Sequence, residues 1–323
     1  MVLSGTVVVT GADGFVGRAC MPALAHAGAA VRGLVRALST HTAARSDYVP
    51  VGDLTTMADT AMRTVMRDAD AVVHLAGHAH RASAAPEILR AVNVDATARL
   101  ARAAAAERVS HFVFASSVKV NGETSPPGHP LRESDPPNPS DEYGASKWAA
   151  ERALAAIAEE SGMRVTSLRL PLTYGPHAKA NVAALVRAVR RGVPLPLAGL
   201  GNRRSILGVG NLASALVALL ASECDPGEAG RATTYFVADA KAVSTTELVE
   251  AMARAMHVEP RLFGLPSALL RAAGALTGRS EAIERLLGTL EVDTSAFRAR
   301  LAWNPPFDLD EGMAQALAPG APL

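Results

Sequence analysis

Residues 6–17 read TVVVTGADGFVG, and this stretch decides how the rest of the chain is read. Val7, Val8 and Val9 form an uncharged β-branched run, which suits a strand buried on both faces of a parallel sheet. Gly11, Gly14 and Gly17 follow at GxxGxxG spacing, with Phe15 and Val16 between the last two. A strand that runs straight into such glycines and then into a helix makes a phosphate-binding turn. The first glycine allows the tight turn, the second lets backbone N–H groups approach a pyrophosphate, and the third lets the helix pack close on the strand. The helix N-terminus adds partial positive charge for the phosphates. An ordinary strand–turn–helix would explain the glycines, but not the agreement of strand, spacing and helix.

Working outward, helical and strand patterns alternate regularly through the first half. Helices are expected over 19–27, 57–66, 86–106 and 143–160, and strands over 31–35, 48–51, 71–76, 111–115 and 164–170. This βαβ rhythm predicts an α/β fold: a Rossmann-type doubly wound parallel sheet with helices on both faces. After Leu170 proline and glycine become frequent and the segments shorten. Further helices are expected over 180–191, 212–221, 244–256, 266–275 and 281–287, the 244–256 helix opened by a Ser244/Glu247 capping box. A strand over 235–238 is expected to return to the sheet. The expected division is a dinucleotide-binding domain over residues 1–175 and a smaller, mixed substrate-binding domain over 176–323, leaning over the carboxyl ends of the strands.

The totals narrow the class. The 323 residues carry a net charge of +1, which gives no long-range attraction to nucleic acid or to an anionic membrane. The longest apolar run, Leu212 to Ala221, is too short to span a bilayer. The two cysteines, Cys20 and Cys224, make no disulfide framework, which points to a reducing compartment. A first strand expected from Val2 leaves no room for a leader, so a cytoplasmic location is expected.

The chain has only four tyrosines and four lysines, yet Tyr143 and Lys147 stand four apart in YGASK. On a helix that spacing puts them on one face. An ammonium beside a phenol favours the phenolate, so Lys147 is expected to lower the pKa of Tyr143 from about 10 towards neutrality. A phenol tuned in this way gives or takes a proton. Ser116 and Ser117, in FVFASSVKVNGE, stand at the carboxyl end of the fifth strand, where a hydroxyl can reach the same substrate oxygen.

These motifs resemble the extended short-chain dehydrogenase/reductase family, the NAD(P)-dependent nucleotide-sugar epimerases, dehydratases and reductases. The likeness lies in the GxxGxxG opening, the FxxSSxxVxG segment over 112–122 and YxxxK. It implies Ser117, Tyr143 and Lys147 as the catalytic set, with Ser116, Tyr143 and Lys147 also against the cofactor. It further implies cofactor contacts from the glycine turn, from Asp53 and Leu54 in GDL, from Leu75, Ala76 and Gly77, from Asn93, and from Pro171 in LRLPLTYGP. Family dehydratases carry an Asp-Glu pair just after the catalytic hydroxyl. Val118 and Lys119 stand there instead, which removes dehydration and leaves 4-epimerisation or 4-keto reduction. NAD-preferring members end the second strand with Asp, whereas Arg36 stands next to that place. Arginine accepts a 2′-phosphate, so NADP is favoured slightly over NAD.

The resemblance implies a nucleotide-diphosphate sugar as substrate, a UDP-hexose or UDP-N-acetylhexosamine. Arg204 in NRRS falls at the family's diphosphate contact, with Asn181 and Arg285 as further contacts and Lys119 beside the sugar. A non-catalytic dinucleotide sensor of the same fold is the alternative, though such proteins typically lose the Tyr or the Lys. His74, His78 and His80 in HLAGHAH are close enough to raise a metal site. His74 is expected to end a buried strand and no carboxylate cluster accompanies it, so no metal is expected. The alanine-rich helices over 86–106 and 143–160 resemble the pair that builds a dimer interface in relatives, so a homodimer is expected.

Overall fold

A computed structural model of the chain describes residues 2–78, 85–178, 180–223 and 229–318. His80 and Cys224 lie outside these ranges, and Asn181 is described in its backbone only. The first half runs β1 (Thr6–Thr10), α1 (Gly17–His26), β2 (Ala30–Val35), β3 (Tyr48–Pro50), α2 (Asp59–Met66) and β4 (Ala71–His74). A continuous helical stretch follows, α3 (Pro86–Leu89), a π-helical segment over Arg90–Asp95 and α4 (Ala96–Ala106). Then come β5 (His111–Ser117), a 3-10 turn over Val118–Val120, α5 (Glu142–Ser161) and β6 (Arg164–Leu170). The second half runs β7 (Leu172–Tyr174), α6 (Ala180–Arg190), β8 (Ile206–Gly208), α7 (Val209–Ala221), β9 (Ala232–Phe236) and α8 (Thr245–Ala255). It ends with α9 (Ser267–Leu276), α10 (Ser280–Leu287), α11 (Ser295–Leu301) and α12 (Leu309–Leu317).

Seven strands form one parallel sheet in the order β3-β2-β1-β4-β5-β6-β9. The strand order reverses between β1 and β4, so the chain's crossovers leave a crevice there, beyond the carboxyl ends of the strands. Side chains alternate across the sheet. Val7, Val9 and Val73 face a layer built on Cys20, Met21 and Leu24 of α1 and Leu212, Leu216 and Leu219 of α7. Val8, Val72, Phe112 and Phe114 face the other layer, with Met62 and Met66 of α2, Leu100 of α4 and Leu154 and Ile157 of α5. Burial on both faces explains the apolar runs at the centres of β1, β4 and β5. A separate cluster joins Tyr174, Val186, Leu248, Met252 and Met313, and Phe15 of the glycine turn packs against it.

Several boundaries differ from expectation. The first strand starts at Thr6 rather than Val2, because Gly5 turns the backbone at φ +85° just before it. The strand expected over 235–238 occupies 232–236, paired with β6. β7 and β8 pair with each other as three-residue strands, too short for any periodicity to show. α11 and α12 were not expected. The α12 N-terminus does carry a capping box, Asp308 with Glu311.

Candidate active site

The glycine turn is held by backbone crowding. Gly11 has φ +65°, in the left-handed region, and a Cβ there would meet the Ala76 backbone nitrogen at 2.9 Å. A Cβ on Gly17 would lie 2.3 Å from the Gly11 carbonyl oxygen, so the first turn of α1 rests directly on the loop that precedes it. Thr10, the last residue of β1, ties the neighbouring loop down. Its carbonyl accepts from the Leu75 N–H and its hydroxyl accepts from the Ala76 N–H. Leu75, Ala76 and Gly77 therefore run alongside the glycine turn at the switch point, and Gly77 is exposed. A side chain at Gly77 would also crowd the Lys147 amine, 3.3 Å from the Cβ position. This side-chain-free cradle beneath a helix N-terminus fits a dinucleotide.

Asn93 lies buried in the π-helical segment. Its Oδ1 accepts from the His78 N–H at 2.8 Å, and its Nδ2 donates to the His78 carbonyl and to the Ser146 hydroxyl. It thus holds the loop after β4 against α5, a setting in which π-bulges recur. His74 has both ring nitrogens engaged, by the Thr10 hydroxyl at 2.7 Å and the Thr97 hydroxyl at 2.9 Å. Burial, with the charge of Lys147, holds its pKa down to about 3. His74 is a neutral structural side chain, and among the described residues no group of three His, Cys, Asp or Glu side chains is placed to hold a metal.

Ser116, Ser117, Tyr143 and Lys147 come together where β5 ends and α5 begins. Asp141 caps α5 by accepting from the Gly144 N–H at 2.7 Å. Gly144 lets the helix approach so closely that a Cβ there would lie 2.6 Å from the Lys119 carbonyl oxygen. Ser117 hydrogen-bonds the Tyr143 hydroxyl and accepts from the Lys119 N–H at 3.2 Å. One turn on, Lys147 is buried, donates to the Ala115 carbonyl at 2.9 Å and lies 4.5 Å from the centre of the Phe114 ring.

The expected tuning of Tyr143 is corrected by its surroundings. Burial first, and the Asp141 charge second, push its phenol up to about 12, while the Ser117 hydrogen bond pulls the other way. The Lys147 amine stands 5.9 Å from the centre of the Tyr143 ring. Lys147 is itself brought down to about 8 by burial, opposed by the charge of Glu151. The spacing does place the pair on one face, but burial and the Asp141 charge set the phenol.

Beneath these residues lies a polar network that the motifs did not single out. The Ser116 hydroxyl donates to Glu151 Oε1, and Arg169 of β6 meets both Glu151 oxygens, at 3.1 and 2.6 Å. Arg169 also donates to Asn121 Oδ1 at 2.8 Å. Glu151 and Arg169 are each 4% exposed in their side chains, so the pair is shielded from solvent screening. Two signals for it were present: Glu151 stands four residues beyond Lys147, and Arg169 is a charge between two leucines, Leu168 and Leu170.

Beyond β2 and β3, Arg36 and Asp53 face each other at 3.6 Å, and Arg36 is 79% exposed. Asp53 spends its Oδ1 on the Thr55 N–H and hydroxyl, with Leu54 half-buried between them. Pro171 is buried at the end of β6. At the other end of the crevice Lys119, Arg204 and Arg285 gather around Glu123. The Lys119 amine contacts both Glu123 and Asp141, and Arg285 Nε lies 3.6 Å from Glu123 Oε2. Arg204 donates to the Gly288 carbonyl at 3.0 Å. Burial lowers its pKa, with Glu123 acting to raise it and Arg285 to lower it further. Of the residues expected to face the substrate, Lys119, Arg204 and Arg285 thus lie together, Ser117 stands by Tyr143, and Asn181 lies outside what is described of side chains. Glu123 and Asp141, which join these cations, were not singled out: Glu123 stands four residues beyond Lys119, a local signal that went unused, whereas Asp141 is 22 residues away from Lys119.

The profile of the NAD dependent epimerase/dehydratase family matches residues 7–238. The chain belongs to that family. Among curated relatives, a UDP-glucose 4-epimerase of Vibrio cholerae is 34% identical over 317 residues, spanning 96% of this chain and 94% of that one. Among solved structures, MoeE5 in complex with UDP-glucuronic acid and NAD is 26% identical, with a TM-score of 0.76 across 97% of this chain and 98% of that one. RMD from Pseudomonas aeruginosa, complexed with NADPH, has a TM-score of 0.71 and 24% identity, covering 97% and 98% of the two chains. The doubly wound sheet is therefore that of this epimerase/dehydratase family, and the nicotinamide cofactors bound by these neighbours are of a kind that the cradle at the switch point fits. Among the described residues no helix is long and apolar enough to cross a membrane.

Proposed function

We propose that this chain is a 4-epimerase of a nucleotide-diphosphate hexose, a UDP-hexose or UDP-N-acetylhexosamine. The observation that carries the reading is the convergence of Ser117, Tyr143 and Lys147 beside the cradle, with the cationic group of Arg204 and Arg285 in the same crevice. A bound nicotinamide supplies the acceptor and donor for the C4 hydride. Tyr143 takes the O4 proton as the C4–O bond becomes a carbonyl, and returns it after the keto sugar has turned over. Ser117 holds O4 through its hydroxyl. Lys147 would hold the ribose of the dinucleotide, together with the glycine turn, Asp53 and the loop over 75–77. Residues 1–175 serve mainly the cofactor and 176–323 mainly the sugar nucleotide. Retention of Tyr143 and Lys147 weighs against a sensor. A homodimer packed through α4 and α5, in the cytoplasm, completes the proposal.

Arg36 supports a second reading, a 4-keto reductase that consumes NADPH, because an exposed guanidinium at the end of β2 suits a 2′-phosphate. A substrate panel tests both. Interconversion of UDP-sugars at C4 with catalytic cofactor supports the epimerase. Stoichiometric NADPH oxidation, seen only with a 4-keto sugar, replaces it with the reductase, and in that case Arg36→Ala weakens NADP binding and spares NAD. No turnover of any nucleotide sugar refutes both.

A further inference from the structure

The cationic group described above contains a carboxylate where an anionic substrate is expected to bind. Glu123 follows the 3-10 turn after β5 and contacts the Lys119 amine through Oε1 and Arg285 through Oε2. Burial acts to raise its pKa, but the Lys119 hydrogen bond and the charges of Lys119 and Arg285 outweigh it, so its pKa lies below the usual carboxylate range. The remaining partners are unequal. Lys119 also holds Asp141. Arg285 also meets Glu281, whose side chain is 81% exposed, and such a contact contributes little. Arg204 is half-buried and within the field of both Glu123 and Arg285. Half-buried cations so close together repel, and a carboxylate among them offsets that cost.

We propose that Glu123 is an internal counter-ion of the anion subsite, from which the substrate's diphosphate displaces it. Glu123 leaves Arg285 and stays on Lys119 as the phosphate oxygens take Arg285 and Arg204. The contacts are unequal in a way that favours this exchange. The Arg285 contact is the long one at 3.6 Å, while Lys119 is the closer partner and is fixed in turn by Asp141 at the cap of α5. The side chain that yields therefore keeps its hold on the catalytic end of the crevice. Glu123 sets a selectivity as well. A weak or singly charged anion does not repay the lost ion pair, whereas a diphosphate, with two phosphate groups for two guanidiniums, does. The inference rests on the nucleotide-sugar reading and adds to it which residue the ligand replaces.

Titration calorimetry on the full-length protein tests it, with UDP, inorganic pyrophosphate and uridine as probes. Glu123→Gln is expected to bind UDP about tenfold tighter than the wild type, the size of one removed like-charge contact, and to bind pyrophosphate tighter in proportion. Uridine, which carries no phosphate, is expected to be unaffected. Glu123→Ser gives the same sign if the glutamine variant folds poorly. UDP affinity unchanged or weakened in a folded Glu123 variant overturns the proposal. Equal tightening of uridine does so too, since it would mean a wider pocket and not a removed charge. Arg204→Gln separates this from the broader reading. If it weakens UDP while Glu123→Gln does not tighten it, only the role of Glu123 falls. If the wild type binds neither UDP nor pyrophosphate, the nucleotide-sugar reading fails, and the counter-ion proposal fails with it.

Discussion

At the β1 end of the crevice the site is made of backbone, and at the Arg285 end it is made of charge. The end proposed for the cofactor relies on absent side chains: Gly11 in the left-handed region, Gly17 against the Gly11 carbonyl, and Gly77 beside the Lys147 amine. The end proposed for the substrate relies on long side chains drawn from residues 119, 123, 141, 204 and 285, which only the finished fold brings together. A backbone cradle is rigid and suits a ligand common to a whole family. A group of flexible charged side chains can be re-paired by changing one residue, so it suits a ligand that differs between members. Tyr143, Ser117 and Lys147 stand between the two and depend on both.

The comparison is sharpest where chemistry can be separated from binding. Tyr143→Phe removes only the hydroxyl proposed to carry the proton. It is expected to lower kcat by about 10²–10⁴-fold, the usual worth of a positioned acid–base group, with affinity for dinucleotide and for UDP little changed. Loss of either affinity comparable to the loss of rate would show that the phenol holds the two ends in place and is not a proton carrier.

Glu151→Ala has the next largest expected effect, and it falls on the fold. The variant leaves Arg169 buried without its bidentate carboxylate and the Ser116 hydroxyl without its acceptor. Breaking one side of a buried pair costs about 3–5 kcal/mol, read as a fall in the denaturation midpoint. If Glu151→Ala denatures like the wild type, the network does not underpin the catalytic platform. Gly17→Ala follows. The added methyl must push back the Gly11 carbonyl from 2.3 Å, an overpacking of about 1–3 kcal/mol. It should weaken dinucleotide binding by about tenfold or more while sparing UDP. Equal losses at both ends would break the distinction between them.

How much of each end could be read from the sequence follows from the same difference. The glycine turn is a local pattern, because each glycine answers to atoms only a few residues away or in the adjoining loop. Tyr143 and Lys147 were legible for the same reason, since a helix converts a spacing of four into a shared face. The pKa of Tyr143 was not legible. It is set by burial and by Asp141, and burial depends on the whole fold. Arg204 and Arg285 were found only through resemblance to a family. Their counter-ion Glu123 lies 81 residues before one and 162 before the other, and no periodicity links them. β7 and β8 escaped notice because three residues are too few to show an alternation.

Asp141 joins the two ends, since it caps α5, holds Lys119 and raises the pKa of Tyr143. Asp141→Asn isolates the charge from the structure. Asparagine is as good an N-cap as aspartate, so its side-chain oxygen can still accept from the Gly144 N–H and the helix start is kept. What is lost is one negative charge near the phenol, and the Lys119 ammonium it had neutralised is left less compensated. Both changes favour the phenolate, so the pKa of Tyr143 should fall from about 12 towards its ordinary value. In the proposed reaction the phenolate is the form that accepts the O4 proton, and the rising limb of kcat/KM against pH reports that ionisation in the free enzyme. The limb should therefore move to lower pH in Asp141→Asn, with the variant relatively faster on its acid side. A limb that stays in place would mean that burial alone sets the phenol. A limb displaced to higher pH would mean that Asp141 acts through the position of Lys119 and not through its charge.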